Sequence, residues 1–197
     1  MLANLPPATR ALLLTNVGVF LLQLLIGPLL LQWLALWPPG PLFEPWQLLT
    51  YAFLHDGFWH IFVNMFALFM FGTPLERYWG SRRFTTFYFV CVLAAGLTQV
   101  AVAMLDGSQS PTLGASGGIF GLLLAFAICF PRQRIMLLFP PIPLPAWAFV
   151  TLYGLLELFS GVRGIEPGVA HFAHLGGMLG GAAMILFWRV KDGARKR

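Results

Sequence analysis

Ser116 opens a short apolar run in Gly114-Ala115-Ser116-Gly117-Gly118, and His174 lies some sixty residues later inside Ala173-His174-Leu175-Gly176-Gly177. A serine hydroxyl is a weak nucleophile until a base takes its proton, and a neutral imidazole does that well near neutral pH. Both residues are embedded in apolar sequence. There a polar side chain tends to face a protein interior or a watery cavity, which makes it a functional candidate by default. Together they suggest a nucleophile, Ser116, and its general base, His174. His60 and Asn64 are spaced i, i+4 and share one helix face. Both could donate hydrogen bonds to a developing oxyanion, as could the free backbone N–H of Ser116 at a helix start. Asp56 and Asp106 stand in no evident position to orient His174, so a Ser-His dyad is the simpler reading. Phe120, one turn after Ser116 on the same face, could stack on the imidazole and fix its plane, or serve as ordinary packing.

The elements that would have to position these residues are membrane helices. The chain is 58% hydrophobic and 10% charged, whereas soluble domains run nearer a quarter charged. Hydropathy predicts an all-α polytopic membrane protein with spans at residues 11–33, 59–78, 84–105, 116–130, 144–159 and 169–188. Spans and connectors use the whole length, so residues 1–197 are expected to form one six-span domain without a soluble appendage. The first span follows Arg10 as a signal peptide would. Its run is too long and no small-residue cleavage site follows, so it reads as an anchor.

Basic residues orient the spans. Arg10, Arg77, Arg82, Arg83, Arg132, Arg134, Arg189, Lys191, Arg195, Lys196 and Arg197 fall on one side if the spans alternate. Arg163 falls on the other, with Glu44, Asp56, Asp106 and Glu166. The positive-inside rule then puts both termini in the cytoplasm, and the short basic tails fit a bacterial plasma (inner) membrane. The net charge of +5 is accordingly topogenic and lipid-facing. Its scatter over four segments does not suggest nucleic-acid binding.

The same arginines serve as a depth ruler. Ser116 comes out roughly 24 Å above Arg132, and His174 roughly 22 Å above Arg189. His60 and Asn64 come out roughly 25 and 20 Å above Arg77. Against a hydrocarbon core about 30 Å thick, polar side chains from three helices share one level below the outer surface. An active site would require that common depth. Gly117/Gly121 on the fourth span, and Gly176/Gly180 and Gly177/Gly181 on the sixth, form small-xxx-small faces that let backbones approach closely. They are packing motifs on one reading; if the faces meet, they also bring Ser116 and His174 near hydrogen-bonding distance.

Inventory excludes rival chemistries. A Ser-Lys mechanism needs a lysine near the serine, but Lys191 and Lys196 both lie in the tail. Asp56 and Asp106 sit at outer span ends or loops, which removes a two-aspartate mechanism, and the His-Glu-x-x-His pattern of zincins is absent. No metal or cofactor is expected. Cys91 and Cys129 read as packing thiols.

On these motifs the chain resembles the rhomboid intramembrane serine proteases of the minimal six-span type, over nearly its whole length. The likeness is carried by His60-Ile61-Phe62-Val63-Asn64, by Gly114-Ala115-Ser116-Gly117 and by Ala173-His174-Leu175-Gly176-Gly177, in that order. The resemblance implies a Ser116 nucleophile acting through an acyl-enzyme, a His174 base, and an oxyanion held by His60, Asn64 and the Ser116 backbone N–H. Gly114, Gly117 and Phe120 would support them. It further implies a partly submerged first outer loop, a water-filled cavity open to the outer side, and single-span membrane proteins as substrates, met in the lipid bilayer. It does not extend to an oligomeric state. Two departures stand out. Rhomboids often carry tyrosine at the position of Phe120, and many carry Trp-Arg where this chain has Trp46-Gln47. Altered anchoring of the first loop is expected, without loss of the chemistry.

Other residues take plainer readings. His171 is expected to be a polar neighbour of His174 near the outer interface, and His55 to support the first loop or the cavity rim. Glu157 could snorkel to water or pair with Arg163; Glu76 and Arg77 would fix a cytoplasmic helix end. The resemblance also implies a role for residues 147–159 in gating substrate access. Two alternatives remain open: a catalytically silent rhomboid-like client-binding protein, and a metal-binding protein using His55, His60, His171 and His174.

Overall fold

The computed structural model describes residues 4–136, 141–165 and 168–194. Glu166, Arg195, Lys196 and Arg197, used above for orientation, lie outside the described residues. The chain is mostly helical: α1 (Pro7–Leu34), α2 (Gln47–Thr50), α3 (Phe58–Ala67), α4 (Thr73–Trp79), α5 (Ser81–Asp106), α6 (Ser116–Cys129), α7 (Ala146–Arg163) and α8 (His171–Ala194). A wide π turn, Leu68–Gly72, joins α3 to α4, just before Pro74, whose ring nitrogen cannot donate to the preceding turn. Among the described residues, four helical stretches are long and apolar enough to cross a membrane: Pro7–Leu34, Phe58–Trp79, Ser81–Asp106 and His171–Asp192. The expected fourth span is the shorter apolar helix α6. The expected fifth span forms α7, which carries Glu157 and Arg163 within its apolar run.

Element ends follow local chemistry. α1 begins at Pro7, where a missing N–H is harmless, and bends at Ile26 ahead of Pro28. α5 and α7 end on Gly107 and Gly164 in the left-handed region. The buried carboxylate of Glu76 accepts from the backbone N–H groups of Ala8 (2.8 Å) and Thr9 (2.6 Å) and from the hydroxyls of Thr9 (2.7 Å) and Ser81 (2.6 Å). It therefore caps α1 and ties it to the α4–α5 corner.

The core is built around α6. Most of its residues are buried, with apolar side chains on every face. α8 packs chiefly against α5 and α6. A Cβ on Gly177 would overlap the Gly117 carbonyl, and one on Gly181 would reach 3.4 Å from the Gly121 Cα. Gly176 and Gly180 instead face Thr98 and Ala94 of α5. The two glycine faces of α8 thus serve different neighbours, and only one meets α6. Cys91 packs over Gly121 and is buried, and both cysteines are free thiols.

One element was not anticipated. Arg134–Met136 pairs antiparallel with Pro143–Pro145 in a small hairpin between α6 and α7. Two prolines in the second strand hide it from a sequence reading, because proline in a strand is confined to an edge. The first loop is anchored by Gln47, which is fully buried. Its Oε1 accepts from the backbone N–H of Trp37 (3.3 Å) and Glu44 (3.1 Å), and its Nε2 donates to the Leu42 carbonyl at 2.9 Å. A neutral amide thus holds the loop through three hydrogen bonds to its backbone.

Candidate active site

Ser116 is the first residue of α6, and the preceding chain is pinned from two directions. Leu36 and Thr112 exchange backbone hydrogen bonds at 2.9 and 2.8 Å, and the Gly114 N–H donates to the Tyr51 carbonyl at 3.0 Å. Gly114 adopts φ +123°, and a Cβ there would meet His60 Nε2 at 2.8 Å. Glycine is required on both counts. Ala115 supplies no side-chain cap to α6, so the first-turn N–H groups, which have no intrahelical partner, stay uncapped and favour negative charge beside Ser116.

His174 approaches from α8. Its Nε2 lies 2.8 Å from Ser116 Oγ, and its ring stacks on Phe120 with centroids 4.2 Å apart and planes 7° apart. Phe120 in turn meets Tyr153 of α7 at 5.0 Å between ring centroids. His60 sits on the other flank. Its Nδ1 accepts from the Asp56 backbone N–H at 3.2 Å, so the hydrogen resides on Nε2, the nitrogen beside Gly114. Asn64 Nδ2 donates to the His60 carbonyl at 2.9 Å and retains a second N–H. Ser116, His60, Asn64 and His174 all line one open cavity of about 1960 Å³, which continues along α6 between α3 and α7. The residues singled out for chemistry thus meet at one place.

The expectation that no acid orients His174 does not match the geometry. Glu157 neither snorkels nor pairs with Arg163: its side chain is 7% exposed, and Oε2 lies 2.9 Å from His174 Nδ1 and 2.7 Å from His171 Nδ1. Arg163 instead lies over the Phe159 ring. His171, expected near the interface, is also buried, with Nε2 2.9 Å from the Ile165 carbonyl. A signal was available. A lone carboxylate inside an apolar helix needs a partner, and two histidines at i, i+3 share a face. What the sequence lacked was the facing of α7 toward α8.

The four histidines do not converge as a metal reading would need. Among the described residues, the atoms that cluster are those of Glu157, His171 and His174, within 4.8 Å of one another, and both close pairs have hydrogen-bond lengths. His55 sets its ring edge-on to His60, 5.1 Å away, while its backbone is clamped by Gln23 of α1. Burial pushes its imidazole down from 6.5 to about 3, so it is neutral at physiological pH.

Comparison with known proteins places the chain in a family. Residues 42–190 match the family model described as the Rhomboid domain. This chain belongs to the rhomboid family. It is 33% identical to "Rhomboid protein 1, mitochondrial" of Saccharomyces cerevisiae over 74% of this chain and 42% of that protein. It is 34% identical to "Rhomboid protease GluP" of Bacillus subtilis over 70% of this chain and 25% of that protein. "Rhomboid protease GlpG" of Klebsiella pneumoniae is 29% identical over 92% of this chain and 63% of its own length. The aligned part of this rhomboid therefore spans less than two thirds of each of these relatives.

Proposed function

We propose that this rhomboid is an intramembrane serine endopeptidase that cleaves single-span membrane proteins near the outer membrane face. The observation that carries the reading is the 2.8 Å contact between Ser116 Oγ and His174 Nε2 at the uncapped start of α6. Two of the relatives are themselves named rhomboid proteases. Ser116 Oγ attacks the scissile carbonyl as its proton passes to His174 Nε2. The oxyanion is held by the Ser116 N–H, His60 Nε2–H and Asn64 Nδ2–H. His174 returns the proton to the departing amine, and water, deprotonated by the same nitrogen, hydrolyses the acyl-enzyme.

The frame is one domain of six spans with both termini cytoplasmic, in a bacterial plasma membrane. α6 is 14 residues long, about 21 Å, against a hydrocarbon core of about 30 Å. A helix that ends at the cytoplasmic side and is only that long begins, at Ser116, below the opposite surface. The open cavity beside it supplies water and room for an unwound segment.

Cleavage of a single-span substrate in proteoliposomes tests this. Ser116→Ala and His174→Ala are each expected to abolish cleavage while the protein stays folded, and a serine-directed phosphonate should label Ser116 in wild type. Persistent cleavage by Ser116→Ala would remove the proposal.

A further inference from the structure

Four hydrogen-bond contacts run in series through the site: Ser116 Oγ to His174 Nε2, His174 Nδ1 to Glu157 Oε2, Glu157 Oε2 to His171 Nδ1, and His171 Nε2 to the Ile165 carbonyl. Each contact needs one hydrogen between its two heavy atoms. The last fixes the count, because a peptide carbonyl can only accept. His171 therefore carries its hydrogen on Nε2, and a second hydrogen must lie between its Nδ1 and Glu157. Serine and two neutral imidazoles contribute three hydrogens, and an ionised glutamate contributes none. The fourth is an added proton, and it cancels the charge of Glu157.

We infer that Glu157 and His171 together hold one proton as an electrically neutral pair, and that this pair is the positioning unit for the His174 base. The assignment rests on the protease reading above. Whether the proton sits on the carboxyl or on the imidazole, Glu157 Oε2 still accepts the His174 Nδ1–H. That leaves the Nε2 lone pair facing Ser116, the tautomer a general base needs. The pair also explains how a carboxylate can be sunk between α7 and α8. An uncompensated buried carboxylate is strongly unfavourable, and the second histidine removes that penalty.

Local structure brings the partners together. Gly164 ends α7 in the left-handed region, and the Ile165 N–H returns to the Ser160 carbonyl at 3.0 Å. This turn holds Ile165 in place, and its carbonyl meets His171. Gly161 lets α8 close in, since a Cβ there would lie 3.2 Å from His171 Cβ. Few other ionisable groups face the cluster among the described residues. From α6 it meets Ser116, and from the start of α3, His60 with Asp56 just before it. α7 adds Tyr153 and Arg163, the latter held over Phe159; α5 presents Tyr88 and Cys91, which pack against Gly118 and Gly121 further along α6.

The pH–rate profile for cleavage of a single-span substrate in proteoliposomes tests the assignment. Glu157→Gln removes the carboxylate and should lower kcat by about 10²- to 10⁴-fold with little change in KM. It should also move the acid limb down by about half to one pH unit. His171→Gln preserves volume and polar contact but cannot hold the proton. It leaves the carboxylate uncompensated, so the acid limb should move up by about the same amount. Opposed shifts support the neutral pair. Shifts in one direction, unmoved limbs with a lower rate, or wild-type behaviour of His171→Gln overturn it. If wild type fails to cleave, or Ser116→Ala still cleaves, the protease reading falls and takes this assignment with it. A Ser116-dependent wild type without opposed shifts overturns the pair alone.

Discussion

On the proposed reading, the conformation of single residues sets the chemistry at this site. His60 is useful because the Asp56 N–H occupies its Nδ1, which commits the remaining ring hydrogen to the side of Gly114 and Ser116. His60→Ala and Asn64→Ala should each slow acylation about 10²- to 10³-fold. Single-turnover kinetics with saturating substrate would show substrate affinity little changed. His55 predicts a pH effect of definite sign. The unfolded chain takes up its proton near 6.5, whereas the folded protein resists until about 3. Stability is therefore fully present above 6.5 and declines as the pH falls toward 3, by about 1.4 kcal/mol per pH unit for this group. Thermal melts in detergent from neutral to acid pH should fall less steeply in His55→Leu. An unchanged slope would show that His55 is not the group responsible.

Helix contacts bring the reactive atoms within reach. Ser116 and His174 belong to α6 and α8, and their separation is set where Gly177 lies against the Gly117 carbonyl. Any side chain at Gly177 must push the helices apart near the reactive pair. Gly177→Ala should abolish phosphonate labelling of Ser116 and lower the melting temperature, consistent with about 1–3 kcal/mol of overpacking strain. Gly176→Ala meets α5 instead, so it should destabilise the fold with a smaller loss of labelling. Equal losses of labelling from the two substitutions would contradict this division of labour between the two glycine faces.

At the scale of the whole molecule, the cavity beside α6 runs from the reactive residues down past Val63, Met70 and Leu152. A substrate helix that partly unwinds would have its bends and side chains in this space. Leu152→Trp narrows it at a distance from the reactive atoms. If the proposed activity holds, the variant should cleave a single-span substrate at least about tenfold more slowly, because substrate access can limit turnover. Labelling by a small phosphonate should stay near wild type. Parallel loss of both would mean that the substitution disturbs the site itself.

Much of this protein was legible in its sequence. Apolar runs of helix length mark membrane helices, because a bilayer demands internally satisfied backbone, and four helices among the described residues are long and apolar enough to cross one. His60, Asn64, Ser116 and His174 stood out because polar groups are rare in such runs, and they line one cavity. Glycine spacing identified the close helix faces but not their partners, since Gly176 and Gly177 point to different neighbours. Tertiary structure alone decided the rest. Glu157 could have faced lipid, water or Arg163. Its contact with His171 and His174 depends on how α7 is rotated against α8, which no local spacing along either helix encodes. The hairpin of Arg134–Met136 with Pro143–Pro145 escaped for the same reason, because pairing energy belongs to two segments at once.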